Sequence, residues 1–504
     1  MELDFSKPAP KPATLKECHA LIELLWKALG DLHQEFIEIK KENVLLRQEV
    51  ENLKEKLNIN SSNSSKPPSS DLFKSKKEAQ KKSKNKSKKK RKQGAQPGHK
   101  GQARPLLSIE NIDQVQKCFP PARCECGGKN ICELDHFKRH QVHELPIMKP
   151  FVTEFQIYYG KCDGACGKTH KGELPAGISY NMLGPLAMAK VTTLTGRYRL
   201  SKRNVSSLFD DFYGLSISIG TVSNAEKIVS QALTVPVEAA KQYVQESTAS
   251  KHADETSHKE KNKRMWTWVG VSMFVCVFLI RATRSTEVAQ ELLGGFFKGI
   301  LNSDRYAAYN WVLAKFRQIC WSHLQRDFKK ISERTGTSRK IGRNLLVCCK
   351  KMFTLWHRVK TGRLSRKKFK EFMKPIQKRV EFLLKQGSCC GHKKTERTCK
   401  NILKIKDALW TFVSVLNVEP TNNLAEQLIR TFVIWRKTSF GTQSAEGSRY
   451  MERVLTVVAT CNMQKRNVLD FISQAVKAHF GEGSVPSLIP VEIKQSAVNW
   501  ALAA

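Results

Sequence analysis

At 504 residues with a formal net charge of +40, the chain has room for several domains and a strong bias toward a polyanionic partner. A membrane-spanning helix is excluded because no apolar run reaches the roughly 18 residues it needs, and MELDFSKPAPKPA lacks the apolar core of a signal peptide. Fifteen cysteines, some in close pairs, suit a reducing compartment and a metal site better than a disulfide framework, so the expected setting is the cytoplasm, on DNA and away from membranes.

From Leu15 to Leu57 the apolar residues keep a seven-residue step. Leu25, Leu32, Ile39, Leu46 and Leu53 form one row, and Ile22, Leu29, Phe36, Asn43, Val50 and Leu57 form the other. Residues 15–58 therefore read as a leucine zipper that makes a homodimer or higher oligomer, with Asn43 selecting a parallel pair in register. Residues 59–105 change character through SSNSSKPPSSDLF into Lys74–Lys92, where Glu78 is the one acid. No core can be built from that composition. It reads as a disordered basic linker whose cations, Lys88, Lys89, Lys90 and Arg91 among them, add salt-sensitive, sequence-blind affinity for DNA.

Residues 106–178 hold two close thiol pairs, Cys124-Glu-Cys126-Gly-Gly and Cys162-Asp-Gly-Ala-Cys166-Gly. Each pair is followed by a Gly that lets backbone amides turn toward sulfur, which suits a closed, structural Zn2+ site; Cys118, Cys132, His136 and His170 compete for a ligand place. Residues 179–246 are helical by pattern. Two amphipathic segments meet at Gly214, with Ser218 or Thr221 available to cap the second, so a DNA-binding helix-turn-helix and a purely structural helical pair fit equally.

Residues 247–328 and 417–465 carry the pattern of a catalytic core. Met265–Met273 and Phe274–Ile280 read as paired strands preceded by the polar KEKNKR run, with Asp254 at the end of a short segment leading into them. Thr286–Leu293, with a Thr cap, an early Glu287 and a Gly-Gly stop, reads as a helix, and Asp304 follows the apolar run Gly299-Ile300-Leu301. Strand, strand, strand, helix, strand, with carboxylates on the first and fourth strands, suits a ribonuclease-H-like sheet in which those two strands are neighbours and their acids share metal ions. FRQICWSHLQRDF reads as an apolar strand ending in Cys320, Trp321 and His323; the histidine can orient a carboxylate, bind a phosphate or be a satisfied structural residue.

Residues 329–416 are helical, basic and too long for a loop, hence a helical insertion. After it, Thr421 or Asn422 caps a helix whose buried stripe is Leu424, Leu428, Ile429 and Phe432, leaving Glu426 and Arg430 a turn apart beside it. Spacing alone makes that pair an ordinary surface ion pair. Residues 466–504 form a C-terminal segment, and the whole reads as a multidomain α+β protein.

Taken in order, the zipper, PPSSD at 67–71, QPGHKG at 96–101, the cysteine module, DET at 254–256, SDRYAAY around Asp304, CWSH at 320–323, and NNLAEQLIR with Arg436-Lys437 resemble the bacterial insertion-sequence transposases of the IS-sixty-six family. The resemblance covers nearly the whole chain. It implies a DDE-type transposase in which Asp254, Asp304 and Glu426 hold two Mg2+ (or Mn2+) ions, Asp254 bridging them, for cleavage and strand transfer of double-stranded DNA at the element ends and the target. Glu426 comes from the resemblance, because Glu419 or Glu446 would serve spacing arguments nearly as well. His323, Arg430, Arg436 and Lys437 are the expected phosphate contacts near that site, accessory proteins of the same element are conceivable partners, and the bacterial nucleoid is the implied location. Two departures are Gln427, where Arg is common, and Cys-x-Cys in the first thiol pair, where Cys-x2-Cys is common. A rival reading is a non-catalytic, dimeric, zinc-containing DNA-binding regulator, which has no use for the carboxylates; a nuclease or recombinase of the same fold would use the same acids.

Overall fold

The computed structural model describes residues 11–64, 105–119, 125–127, 137–175, 178 and 180–490. The PPSSD and QPGHKG motifs, Lys88–Arg91 and Cys124 lie outside the described residues. Contacts divide the chain into two compact units, one of residues 1–77, 176–199 and 225–504, the other of residues 78–175 and 200–224.

The chain begins with α1 (Leu15–Leu57), capped by Thr14, whose Oγ1 accepts from Glu17 N at 3.3 Å. Leu25, Leu29, Leu32, Phe36 and Ile39 are exposed along it. Its far end is fastened by Glu55, which pairs with Arg334 at 2.9 Å and Lys394 at 2.7 Å; the two cations hold that carboxyl below its ordinary range against the opposing effect of burial. In the smaller unit β1 (Tyr159–Lys161) and β2 (Thr169–Lys171) form an antiparallel hairpin, closed by Cys162 N donating to Lys168 O at 2.8 Å. Next come α2 (Pro185–Thr192), α3 (Lys202–Tyr213), α4 (Ile219–Ala232) and α5 (Thr234–Glu246). Gly214 ends α3 in the left-handed region at φ 60°, and Ser218 Oγ accepts from Thr221 N at 3.0 Å. A glycine stop and a serine cap are what the sequence offers there.

The central sheet consists of β3 (Lys251–Glu260), β4 (Lys263–Ser272), β5 (Val275–Arg281), β6 (Leu301–Ser303) and β7 (Arg317–Ile319), in the order β5-β4-β3-β6-β7. β3, β4 and β5 are antiparallel neighbours, whereas β6 runs parallel to both β3 and β7. Asp254 does not end a short lead-in; it lies within a ten-residue strand, and KEKNKR is the hairpin between β3 and β4, turning at Lys261 with φ 51°. The strand KHADETSHKE escapes a hydrophobicity reading because its polar side chains find partners inside: Lys251 Nζ donates to Gln245 O at 2.8 Å, and His258 Nε2 meets Thr442 Oγ1 at 2.8 Å.

After β5 comes α6 (Thr286–Leu293), with the expected limits but with Ser285 at the cap position. Only Arg317–Ile319 of the FRQIC run is strand; Cys320 begins α7 (Trp321–Ser332), so His323 sits in a helical first turn and not at a strand end. α8 (Gly336–Lys360), α9 (Arg366–Gly387) and α10 (Lys393–Leu403) follow. They share with α7 one apolar core that includes Trp321, Phe328, Met352, Phe369 and Phe412. α11 (Asn423–Ser439) buries Ala425, Ile429 and Phe432, whereas the expected stripe members Leu424 and Leu428 are only half-buried. α12 (Ala445–Met463) lies along β5, and α13 (Val468–His479) follows it. Among the described residues no helix is long and apolar enough to cross a membrane.

Candidate functional site

β3 and β6 bring two acids to one end of the sheet. Lys251 pairs with Leu301 and His252 with Asn302. The same register carried two residues further sets Asp254 on β3 beside Asp304, just past β6. Glu426 arrives from the first turn of α11, and Asn422 fixes that turn. Its Nδ2 donates to Ala253 O at 2.7 Å, its Oδ1 meets His252 Nδ1 at 3.2 Å, and its backbone N–H donates to Cys320 Sγ at 3.2 Å. One buried asparagine thus joins the strand before Asp254, the start of α7 and the helix that carries Glu426.

The electrostatics agree with this convergence. Burial raises the Asp254 carboxyl well above the ordinary aspartate range, and the neighbouring charges of Glu255, Asp304 and Glu426 push the same way, against a hydrogen bond from Glu255 N at 2.9 Å. Burial also holds His252 down to about 4, so it is neutral beside Asn422. Asp304 Oδ1 accepts from Tyr306 N at 2.8 Å, and the fully buried Arg317 donates to Asp304 O at 3.2 Å.

Glu426 faces α7. Its Oε1 lies 3.4 Å from His323 Nδ1 and 3.7 Å from Cys320 Sγ, and its Oε2 lies 3.9 Å from Arg326. Among the described residues its ion-pair contacts are these, so the i to i+4 pair with Arg430 expected from spacing does not form. Arg430 is exposed on α11, as is Lys437. Arg436 turns inward, where Nη1 donates to Ser257 O, to Thr256 Oγ1 at 3.1 Å and to Ser257 Oγ at 3.2 Å, bracing α11 on β3.

Glu255, beside Asp254 on β3, is a buried acid that the sequence alone does not single out. It receives Arg284 Nε at 2.9 Å and the Tyr309 hydroxyl. Burial and Asp304 raise its carboxyl, and Arg284 offsets part of the rise. Arg284 in turn stacks 3.5 Å from the Tyr306 ring centroid. The signal was present in DET and SDRYAAY, where Glu255, Tyr306 and Tyr309 stand beside the two acids, but no spacing rule turns such neighbours into contacts. Asn422 shows in the sequence only as a helix cap.

In the smaller unit Cys162 and Cys166 lie together on the β1–β2 loop, Cys162 half-buried and Cys166 exposed. A backbone N–H from Lys168 and a hydrogen bond from Cys162 lower the Cys166 thiol. Cys126 is exposed, and its expected partner Cys124 lies outside the described residues.

A family model described as Transposase IS66 family matches residues 180–450. A second, described as a family of unknown function (DUF6444), matches residues 7–105. "Uncharacterized protein y4qI" of Sinorhizobium fredii (strain NBRC 101917 / NGR234) is 26% identical over 271 residues, 47% of this chain and 49% of that protein. The chain therefore spans about half the length of that curated relative.

Proposed function

The chain belongs to the Transposase IS66 family, and from that membership we propose a DDE-type DNA transposase that cuts double-stranded DNA at the ends of an insertion sequence and transfers the strands to a target. What supports this reading is that Asp254 on β3 stands in register with Asp304 just past β6 and that the charges of Asp304 and Glu426 both reach the buried Asp254 carboxyl. The strand order, antiparallel up to β3 and parallel beyond it, is what a ribonuclease-H-like core requires. A regulator that only bound DNA would gain nothing from a buried aspartate set among other acids, whose repulsion is a cost unless cations relieve it.

The donor set fits Mg2+ or Mn2+, which take hard oxygen ligands. Held by Asp254, Asp304 and Glu426, two such ions would supply positive charge for the crowded phosphodiester and its leaving oxygen and would make the attacking hydroxyl more acidic. The chain's own groups then have separable tasks. Tyr306 N–H aims Asp304, Asn422 sets the depth of α11, and Arg284 with Tyr309 fixes the Glu255 carboxyl. Exposed Arg430 and Lys437 meet the phosphate backbone, with His323 next to Glu426. Around this core the same reading takes α1 as the dimerising coiled coil, Cys124, Cys126, Cys162 and Cys166 as a structural zinc module, and α3–α4 as a DNA-binding helix pair.

Single alanine substitutions decide the matter. With DNA carrying the element ends and added Mg2+, Asp254→Ala, Asp304→Ala and Glu426→Ala should each lower cleavage by about 10³-fold or more while DNA affinity stays within a few-fold. Cleavage retained by Asp304→Ala would remove the enzyme reading.

A further inference from the structure

We propose that Cys320, His323 and Glu426 form a second metal site, selective for a thiophilic divalent cation such as Zn2+ or Co2+, at the edge of the carboxylate cluster. Among the described residues these three place one ligand atom each within 4.8 Å of one another. The two edges that end on Glu426 Oε1, 3.7 Å from Cys320 Sγ and 3.4 Å from His323 Nδ1, are close to those of a tetrahedron with metal–ligand bonds of roughly 2.0–2.3 Å.

Two features besides the spacing point to a cation. His323 Nδ1 is screened from solvent and makes no hydrogen bond, although it faces a carboxylate and a thiol. Around the sulfur, the backbone N–H groups of Asn422, Ser322 and His323 are aimed at Sγ where α7 begins, and they offset part of the burial and of the Glu426 charge that together raise this thiol to about 11. Cys320 and His323 are three residues apart at the start of α7, which puts both on one helical face. The His323 and Glu426 side chains keep 21% and 26% of their surface exposed, so a fourth position is open to water. Three protein ligands with an open place is the arrangement of a reactive or exchangeable zinc site, and sulfur with imidazole excludes Mg2+ as the preferred guest. Arg326 reaches only the far oxygen of Glu426, leaving Oε1 to the other two ligands.

Glu426 would be common to this site and to the proposed magnesium set, so an ion held by Cys320 and His323 draws an oxygen out of that set. This consequence rests on the transposase reading; the metal site does not. The test is optical and needs no DNA. Full-length protein is titrated with Co2+ and read for sulfur-to-cobalt charge transfer and for the visible bands of tetrahedral cobalt, beside Cys320→Ser and His323→Gln. Both variants keep the other cysteines, so their difference from wild type isolates this site. We expect the charge-transfer intensity of one thiolate to vanish in Cys320→Ser, and cobalt affinity at this site to fall at least tenfold in His323→Gln, with Zn2+ displacing the cobalt from wild type. Spectra of both variants that superimpose on wild type would overturn the proposal. Should Cys320→Ser fail to fold, His323→Gln decides alone, since its partly exposed side chain can be changed without opening the core; an unchanged cobalt affinity in that variant equally overturns the site.

Discussion

His258 reports on the interior of β3. Burial holds its imidazole down to about 4, Arg436 pushes the same way, and Glu260 opposes them. The sign of the linkage follows. Above pH 6.5 the ring is neutral in both states; as pH falls, the unfolded chain takes up a proton that the folded chain refuses until about pH 4, so stability drops across that window. His252 acts in the same sense, whereas the raised carboxyls of Asp254 and Glu255 act in the opposite one, so wild type alone does not isolate the effect. Comparison with His258→Gln does. The stability lost between pH 7 and pH 4.5, measured by urea unfolding, should shrink by about 2 kcal/mol in the variant. An equal loss in both proteins would mean that the ring is not held neutral.

At the scale of elements, the edge strand β5 is closed by a helix. Cys276 N donates to Thr460 Oγ1 at 3.1 Å, Phe278 N to Thr456 Oγ1 at 3.0 Å, and Ile280 N to Glu452 Oε1. Acceptors at i, i+4 and i+8 on α12 match alternate amides of the strand, and this face of α12 does the work of a sixth strand without offering a ladder to another chain. Thr456→Val keeps the shape and removes the acceptor, leaving a buried amide unpaired. It should destabilise the protein by about 1–3 kcal/mol and accelerate hydrogen exchange at Phe278, whereas Thr456→Ser, which loses a buried methyl but keeps the acceptor, should leave the Phe278 amide protected relative to its neighbours. On the other side of the sheet, Gly441 at φ 112° lets Thr442 reach β3. A Cβ there would stand 2.3 Å from Lys259 O, so this glycine is required by both its conformation and its neighbour.

Across the whole molecule, the net charge of +40 is far more than ion pairs within the fold use. Charge of that sign placed along DNA releases counterions, and the salt dependence counts the contacts. Replacing Lys88, Lys89, Lys90 and Arg91 with glutamine should flatten the slope of log affinity against log salt by up to about 4, with similar losses on specific and nonspecific DNA. An unchanged slope would move the role of the excess charge to other cations.

By itself the sequence determined whatever depends on neighbours along the chain. The heptad step of α1, the Gly214 stop and Ser218 cap between α3 and α4, the limits of α6, and the two acids on strands that become neighbours were all readable, because periodicity, capping and β-branched runs are local physics. Tertiary structure alone decided the rest. β3 is polar, and its side chains are satisfied by distant groups, among them α11, Thr442, the end of α5, Arg284 and Tyr309, so no hydrophobic run marks it in the sequence. Spacing leaves Glu426, Glu419 and Glu446 as equals, and what sets the helical turn of Glu426 against β3 and the start of α7 is Asn422, a residue whose three hydrogen bonds join segments about 100 and 170 positions apart. No local rule encodes a bond between such distant residues; it exists only once the chain has closed around it.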